Sequence, residues 1–164
     1  MDKGDPIDIL APVNENDKEW LHHLWVSEFG GETVISKGKT HHVKDMLSLI
    51  AWVNGIRVGA ATYRLGNDYA ELVSINALVK GSGIGSQLIA AVENTLKQSG
   101  LSRIWVITTN DNVDALRFYQ RRGYRIAAVY PDAVTEARKL KTTIPLVGFY
   151  DIPIRDEIEL EKIL

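Results

Sequence analysis

Val79-Lys80-Gly81-Ser82-Gly83-Ile84-Gly85-Ser86 is the stretch on which the reading of this chain turns. It leaves an apolar, strand-like run and opens a helical one. Ile84, Leu88, Ile89, Val92 and Leu96 recur at helical spacing, and Gly100 closes the pattern. Its three glycines let the backbone take positive φ and come close to a ligand. The first turn of a helix offers N–H groups without partners and the positive end of the helix dipole. Together these make an anion site suited to phosphate. Lys80 adds a charge at the entrance, and Ser82 and Ser86 add hydroxyl donors. The same glycines also suit a plain tight turn between strand and helix. Two phosphate motifs do not fit. A P-loop needs Lys after its last glycine, and Gly85 is followed by Ser86. The dinucleotide fingerprint needs Gly-x-Gly-x-x-Gly, whereas Gly81, Gly83 and Gly85 run as Gly-x-Gly-x-Gly.

Upstream, residues 47–53, 56–65 and 69–79 read as three consecutive strands. Asn54-Gly55 and Gly66-Asn67-Asp68 make the turns of an antiparallel meander. A short strand at residues 7–10 precedes them, stopped by Pro12. A helix capped by Asn16 or Asp17 carries Trp20, Leu21, Leu24 and Trp25 and ends at Gly30-Gly31. Residues 32–46 read as a loop with a short extended piece. Downstream, residues 103–108 form a strand, 112–122 a helix closed by Gly123, and 124–130 another strand. Residues 133–140 suit a short helix. Residues 156–164 alternate acidic and apolar side chains, as in a final half-exposed strand. Strand–helix–strand implies a parallel pair with a right-handed crossover. The expected fold is α/β, one mixed sheet with helices on both faces: an antiparallel meander followed by β-α-β-α-β.

Composition narrows the classes. The 164 residues suit a single domain, 1–164, with no interdomain linker or internal repeat. A net charge of −2 gives no basic field for nucleic acid and no basic block for a membrane surface. No apolar run is long enough for a membrane span, and Met1-Asp2-Lys3-Gly4-Asp5 lacks the apolar stretch of a signal peptide, so a cytoplasmic location is expected. With no cysteine, disulfides, thiolate metal sites and a cysteine nucleophile are excluded.

A second motif lies further on: Asn112, Ala115 three later, Tyr119 seven later, then Gly123-Tyr124. With Lys80, Gly83 and Gly85 it resembles the GNAT superfamily of N-acetyltransferases. That family carries Gln/Arg-x-x-Gly-x-Gly/Ala at the strand–helix junction and Asn…Ala…Tyr…Gly-Phe downstream. Lys80 departs from Gln/Arg and Tyr124 from Phe. The resemblance is good over residues 47–130. Residues 34–42 and 152–160 also resemble segments of uncharacterised bacterial members, which names no substrate.

The resemblance implies acetyl-CoA as co-substrate and direct transfer of the acetyl group to a primary amine. It does not name the acceptor: amino acids, polyamines, aminoglycosides, small amines and a protein N-terminus or lysine stay open, and a modest domain with no basic tail leans toward a small molecule. No metal is expected, because His41 and His42 have no further ligands at suitable spacing. The pyrophosphate would sit on Lys80, Gly81, Ser82, Gly83, Ile84, Gly85 and Ser86. Pantetheine would pair like an added strand with the backbone of residues 75–79, Ala77, Leu78 and Val79 included, and would meet Asn112 and Ala115. Tyr119 would face the thioester sulfur as acid. A backbone N–H near Leu78 or Ala77 would stabilise the oxyanion. A homodimer, with the terminal strand pairing across it, is as open as a monomer.

Glu71 is the candidate base, on a strand where relatives carry a carboxylate, though with Asp68 it also reads as a solvated meander charge; His41, His42 and water are the alternatives. Ser36 joins the histidines as a candidate pocket wall. Trp20, Trp25, Trp52 and Phe29 read either as an aromatic acceptor pocket or as core. Arg138, Lys139, Lys141, Arg155 and Asp156 read either as a carboxylate clamp or as a solvated cluster. A catalytically silent acetyl-CoA-binding regulator and a protein binding another nucleotide are the alternative functions.

Overall fold

The computed structural model describes residues 4–164; the polar start at Met1, Asp2 and Lys3 lies outside them. The elements are β1 (Asp8–Leu10), α1 (Glu15–Phe29), β2 (Thr33–Ser36), β3 (Lys39–His42), β4 (Leu47–Val53), β5 (Ile56–Leu65), β6 (Tyr69–Ala77), α2 (Ile84–Gln98), β7 (Arg103–Thr109), α3 (Val113–Gln120), β8 (Arg125–Tyr130), α4 (Ala133–Leu140) and β9 (Glu157–Ile163). Seven strands form one mixed sheet in the order β1-β4-β5-β6-β7-β9-β8, and β2 with β3 forms a separate hairpin. Only β6 and β7 run parallel. This is the mixed sheet the sequence predicts.

The period of two along the strands sorts side chains onto the two faces. Ile50 and Ala60 belong to a cluster with Leu21, Leu24 and Trp25 of α1. Their neighbours Ala51 and Ala61 pack instead with Ile84, Leu88, Val92 and Leu96 of α2. Helix α1 therefore covers one face, and α2 and α3 cover the other.

Three elements depart from the sequence reading. The cap of α1 is Asn14, not Asn16 or Asp17: the Asn14 side chain accepts from Asp17 N at 2.9 Å. Asp17 answers from inside the first turn, with Oδ2 accepting from Val13 N at 2.9 Å. Its other oxygen takes Arg57 Nη2 at 2.7 Å and Nε at 3.1 Å, and the Arg57 guanidinium lies 4.6 Å from the Trp52 ring centroid. Residues 32–46 hold the β2–β3 hairpin, turned at Lys37-Gly38. The third departure is β9, which pairs with β7 on one side and β8 on the other, so neither of its edges is free to pair across a dimer. Its acids are not the wet face either. Glu157 is 2% exposed and Glu159 5%, because Lys37, Arg103 and Tyr130 meet them.

The bonds from Val13 and Arg57 hold the Asp17 carboxyl below its ordinary value of 3.8. A depressed native pKa stabilises the fold above the unfolded value and loses that stabilisation as pH falls through the native one. Asp17→Ala should therefore lower the unfolding free energy by about 2 kcal/mol at pH 7. In denaturant titrations the gap from wild type should close as the pH falls below about 4.

Candidate active site

Parallel pairing of β6 with β7 stops at Leu72–Val106. There β6 bulges: Thr62 pairs with Ser74 and Tyr63 with Leu72, leaving Val73 as the extra residue. A bulge bends its strand. Beyond it, residues 74–77 of β6 keep β5 as a partner but pair with nothing on the β7 side. The sheet opens there into a cavity of about 770 Å³. Gly85, Asn112, Ala115 and Tyr119 line it on one side of the sheet, and Glu28, Phe29 and Ser36 on the other.

Strand β6 ends at Ala77, two residues short of the 69–79 expected from sequence. Leu78 N donates to Val58 O at 2.9 Å, so its N–H is not open to an oxyanion. Backbone N–H groups alternate sides along a strand. Those of Ala77 and Ile75 therefore face the splay. Of the two expected oxyanion donors, only Ala77 is placed for the work.

The glycine turn crosses the mouth. Gly83, at φ 81°, is the N-cap of α2. A side chain there would be held in the left-handed region, which glycine alone enters without penalty. Gln87 N is the first to close onto the turn, on Gly83 O, so the N–H groups of Ile84, Gly85 and Ser86 have no helical acceptor. A Cβ on Gly85 would stand 3.2 Å from the Phe118 ring. Both serine hydroxyls have partners, and Ser86 keeps its own O–H as a donor. Ser82 Oγ donates to Val79 O at 2.6 Å, and Ser86 Oγ accepts from Arg122. The Arg122 guanidinium lies 3.6 Å from the Phe118 ring centroid and donates to Phe118 O at 2.8 Å. A second cation thus stands beside the first turn of α2, and the exposed Lys80 lies on the turn itself.

Tyr119 and Asn112 reach the cavity from α3. Asn112 caps that helix, its Oδ1 accepting from Ala115 N at 3.2 Å, which leaves its amide NH₂ as the donor for a ligand. Tyr119 is 5% exposed and packed between the rings of Phe118 and Tyr124. Its hydroxyl lines the cavity and has no hydrogen-bond partner among the described residues. Burial pushes its pKa above the ordinary 10.0, so the phenol keeps its proton at neutral pH.

Ser36 and Glu71 line the opposite wall and come together with His41, although the hairpin and β6 are far apart in sequence. Ser36 Oγ donates to Glu71 Oε1 at 2.6 Å and lies 2.9 Å from His41 Nε2. Burial lowers the His41 pKa, which favours the neutral ring. Glu71 Oε2 takes Arg64 Nε at 2.6 Å, so both Glu71 oxygens are engaged. Neither His41 nor His42 lines the cavity. Of the four aromatic candidates only Phe29 does; Trp25 is fully buried core, and Trp20 and Trp52 flank Arg57. The basic tail forms no carboxylate clamp. Arg138 donates to the carbonyls of Ile144, Pro145 and Ile154. Lys139 pairs with Glu136, and Arg155 lies 4.0 Å from Asp156.

Two buried carboxylates that the sequence reading does not place in the site also line the cavity. Glu157 is 2% exposed; its Oε2 accepts from Lys37 N at 2.9 Å, and its Oε1 is unpartnered among the described residues. Burial raises its pKa above the ordinary 4.5. Asp111, also 2% exposed, accepts from Thr109 Oγ1 at 2.5 Å and Phe149 N at 3.0 Å. The signal for Glu157 lies in the alternating tail, but the alternation leaves the face on which the acids lie undecided. Among the described residues, no group of three or more His, Asp or Glu is placed to hold a metal ion. None of their helices is long and apolar enough to cross a membrane.

A splayed parallel strand pair with a glycine turn at its mouth defines an acyl-CoA N-acyltransferase fold. Residues 14–124 match the acetyltransferase (GNAT) family, and the chain belongs to that family. It is 41% identical over 159 residues to the uncharacterized protein YdhI of Bacillus subtilis, covering 95% of this chain and 98% of that one. It is 43% identical over 105 residues to the uncharacterized protein YxbD of the same organism, covering 64% of this chain and 66% of that one. Among solved structures, the IAA acetyltransferase from Bacillus cereus superposes with a TM-score of 0.75 at 23% identity, over 97% of this chain and 100% of that one. A GNAT family acetyltransferase from Elizabethkingia anophelis, with acetyl-CoA bound, superposes with a TM-score of 0.74 at 18% identity, over 98% of this chain and 100% of that one.

Proposed function

We propose that this protein is an acetyl-CoA-dependent N-acetyltransferase that transfers the acetyl group directly to a primary amine of a small molecule. The observation that carries the reading is the splay between β6 and β7. It places open N–H groups at one end of the cavity and the unpartnered Tyr119 hydroxyl within it. The N–H groups of Ile84, Gly85 and Ser86, with Lys80 and Arg122 beside them, suit a pyrophosphate. The unpaired backbone of residues 75–77 suits the amides of a pantetheine arm laid along it as an added strand.

Transfer needs a neutral amine, a donor for the tetrahedral oxyanion and a proton for the departing thiolate. An alkylammonium has a pKa near 10, so a base must accept its proton. Glu157 supplies an open carboxylate oxygen whose pKa is shifted toward the working range. Glu71, with both oxygens engaged, orients Ser36 and His41 beside it. The Ala77 N–H faces the oxyanion, and Tyr119 donates its proton to sulfur as the C–S bond breaks. A silent acetyl-CoA sensor would use the same turn. The presence of Tyr119 and Glu157 in one cavity favours turnover.

The test is a thermal shift with acetyl-CoA, CoA, ATP and NAD. A ligand that binds only the folded state at a hundred times its Kd stabilises it by about 2.7 kcal/mol. Stabilisation by acetyl-CoA and CoA, and not by ATP or NAD, is expected. An equal shift with ATP would overturn the reading and leave a general phosphate site.

A further inference from the structure

The cavity is lined by hydrogen-bond acceptors and negative charge. Glu28, Glu71, Asp111, Asp114 and Glu157 all line it, against a single ammonium, that of Lys141. Glu71 is matched by Arg64. None of the other four makes an ion pair among the described residues. Lys37, whose charge also acts on Glu157, is paired with Glu159 at 3.0 Å. Asp111 and Glu157 are each 2% exposed. A buried carboxylate without a cation is strongly unfavourable, so a positive ligand group is favoured beside it. Two further atoms ask for a donor from outside: Glu157 Oε1 is unpartnered, and Asn76 Oδ1 is buried in the cavity wall with no hydrogen bond.

The groups that would greet a carboxylate are committed elsewhere. Lys141 Nζ donates to Phe29 O at 2.6 Å and Thr33 O at 2.5 Å, tying the end of α1 and the start of β2 to the tail. Burial lowers its pKa, which weakens it further as an anion anchor. Arg138 is held on three backbone carbonyls. The acids also lie on separate walls: Glu28 ends α1 beside Asn76, whereas Asp111 and Asp114 flank the start of α3. One reacting amine answers one carboxylate, and the others remain for a second cation. Among the described residues no group of three or more His, Asp or Glu is placed to hold a metal ion, and acids spread over separate walls suit an extended organic cation.

We propose that the acceptor is a diamine or polyamine, with at least two ammonium groups and no carboxylate. This rests on the acetyltransferase reading and narrows it to one substrate class. Three probes of nearly equal length separate the contributions. 1,5-Diaminopentane carries two amines, lysine adds a carboxylate to that same diamine, and pentylamine removes the second ammonium. With acetyl-CoA as donor, kcat/KM for the diamine should exceed that for lysine by about a hundredfold, since like charges brought together cost several kcal/mol. It should exceed that for pentylamine roughly tenfold, the worth of one charge-assisted contact. Asp111→Asn, whose Oδ1 can still accept from Phe149 N while its NH₂ turns to the Thr109 hydroxyl, should raise KM for the diamine by a larger factor than for pentylamine. Lysine used as well as the diamine, or pentylamine equal to it, overturns the proposal. If no amine is turned over, the diamine is titrated calorimetrically into the CoA-loaded protein and into the free protein. Absence of binding to both overturns the substrate class, whereas the acetyl-CoA thermal shift judges the acetyltransferase reading separately.

Discussion

Tyr119→Phe should lower kcat for acetyl transfer by about a hundredfold or more, with acetyl-CoA binding and thermal stability close to wild type. General acid catalysis contributes about 10²–10⁴-fold when the acid is well placed. The variant isolates that contribution because the hydroxyl has no hydrogen-bond partner among the described residues, so its loss breaks no contact with them. The ring, packed between Phe118 and Tyr124, is preserved. Were Tyr119 only a packing residue, phenylalanine would be neutral for rate as well as for stability. The pH profile gives a second readout. Because burial lifts the phenol above its ordinary 10.0, wild-type kcat should show no decline from Tyr119 ionisation up to that pH. Turnover by Tyr119→Phe at the wild-type rate would mean that the thiolate leaves without this proton.

Gly83→Val combined with Lys80→Ala should abolish the thermal shift produced by acetyl-CoA. Gly83 sits at φ 81°, and a Cβ there would meet no protein atom within 4 Å. The penalty is therefore backbone strain, about 1–2 kcal/mol, and not a clash in the core. A β-branched residue relieves it by leaving the left-handed region, which turns the N–H groups of Ile84, Gly85 and Ser86 away from the mouth. Loss of Lys80 removes one of the two cations near them. The melting temperature without ligand will fall by itself, so the quantity to compare is the increment on adding acetyl-CoA. That increment should drop from about 2.7 kcal/mol at a hundred times Kd to none. A retained increment would place the phosphate site elsewhere.

Patterns carried within a few residues are legible in the chain alone. The turn from strand to helix at residues 79–86, the Asn54-Gly55 hairpin, and the register of Asn112, Ala115 and Tyr119 are local, and each holds in the fold. The cap of α1 lies two or three residues ahead of its expected place. Asn14, Asn16 and Asp17 all have capping chemistry, and local pattern does not choose among such neighbours.

Whatever lies across the sheet is a different matter. Alternation in β9 shows that acids and apolar residues point opposite ways, not which way is inward. Insertion between β7 and β8 buries Glu157 and turns an expected solvent face into the wall of the cavity. Ser36, His41 and Glu71 meet only because the hairpin folds over β6, and the bulge at Val73 opens the cavity that Ser36 and Glu71 border. Arg138 and Lys141 read as free cations in sequence and prove to be braces on backbone carbonyls. The glycine-turn end of the cavity is thus written in the order of the residues, because a helix N-terminus is made by consecutive positions. Its carboxylate-lined walls are set only by packing, because the charge a ligand meets depends on which side chains remain unpaired once the chain has folded.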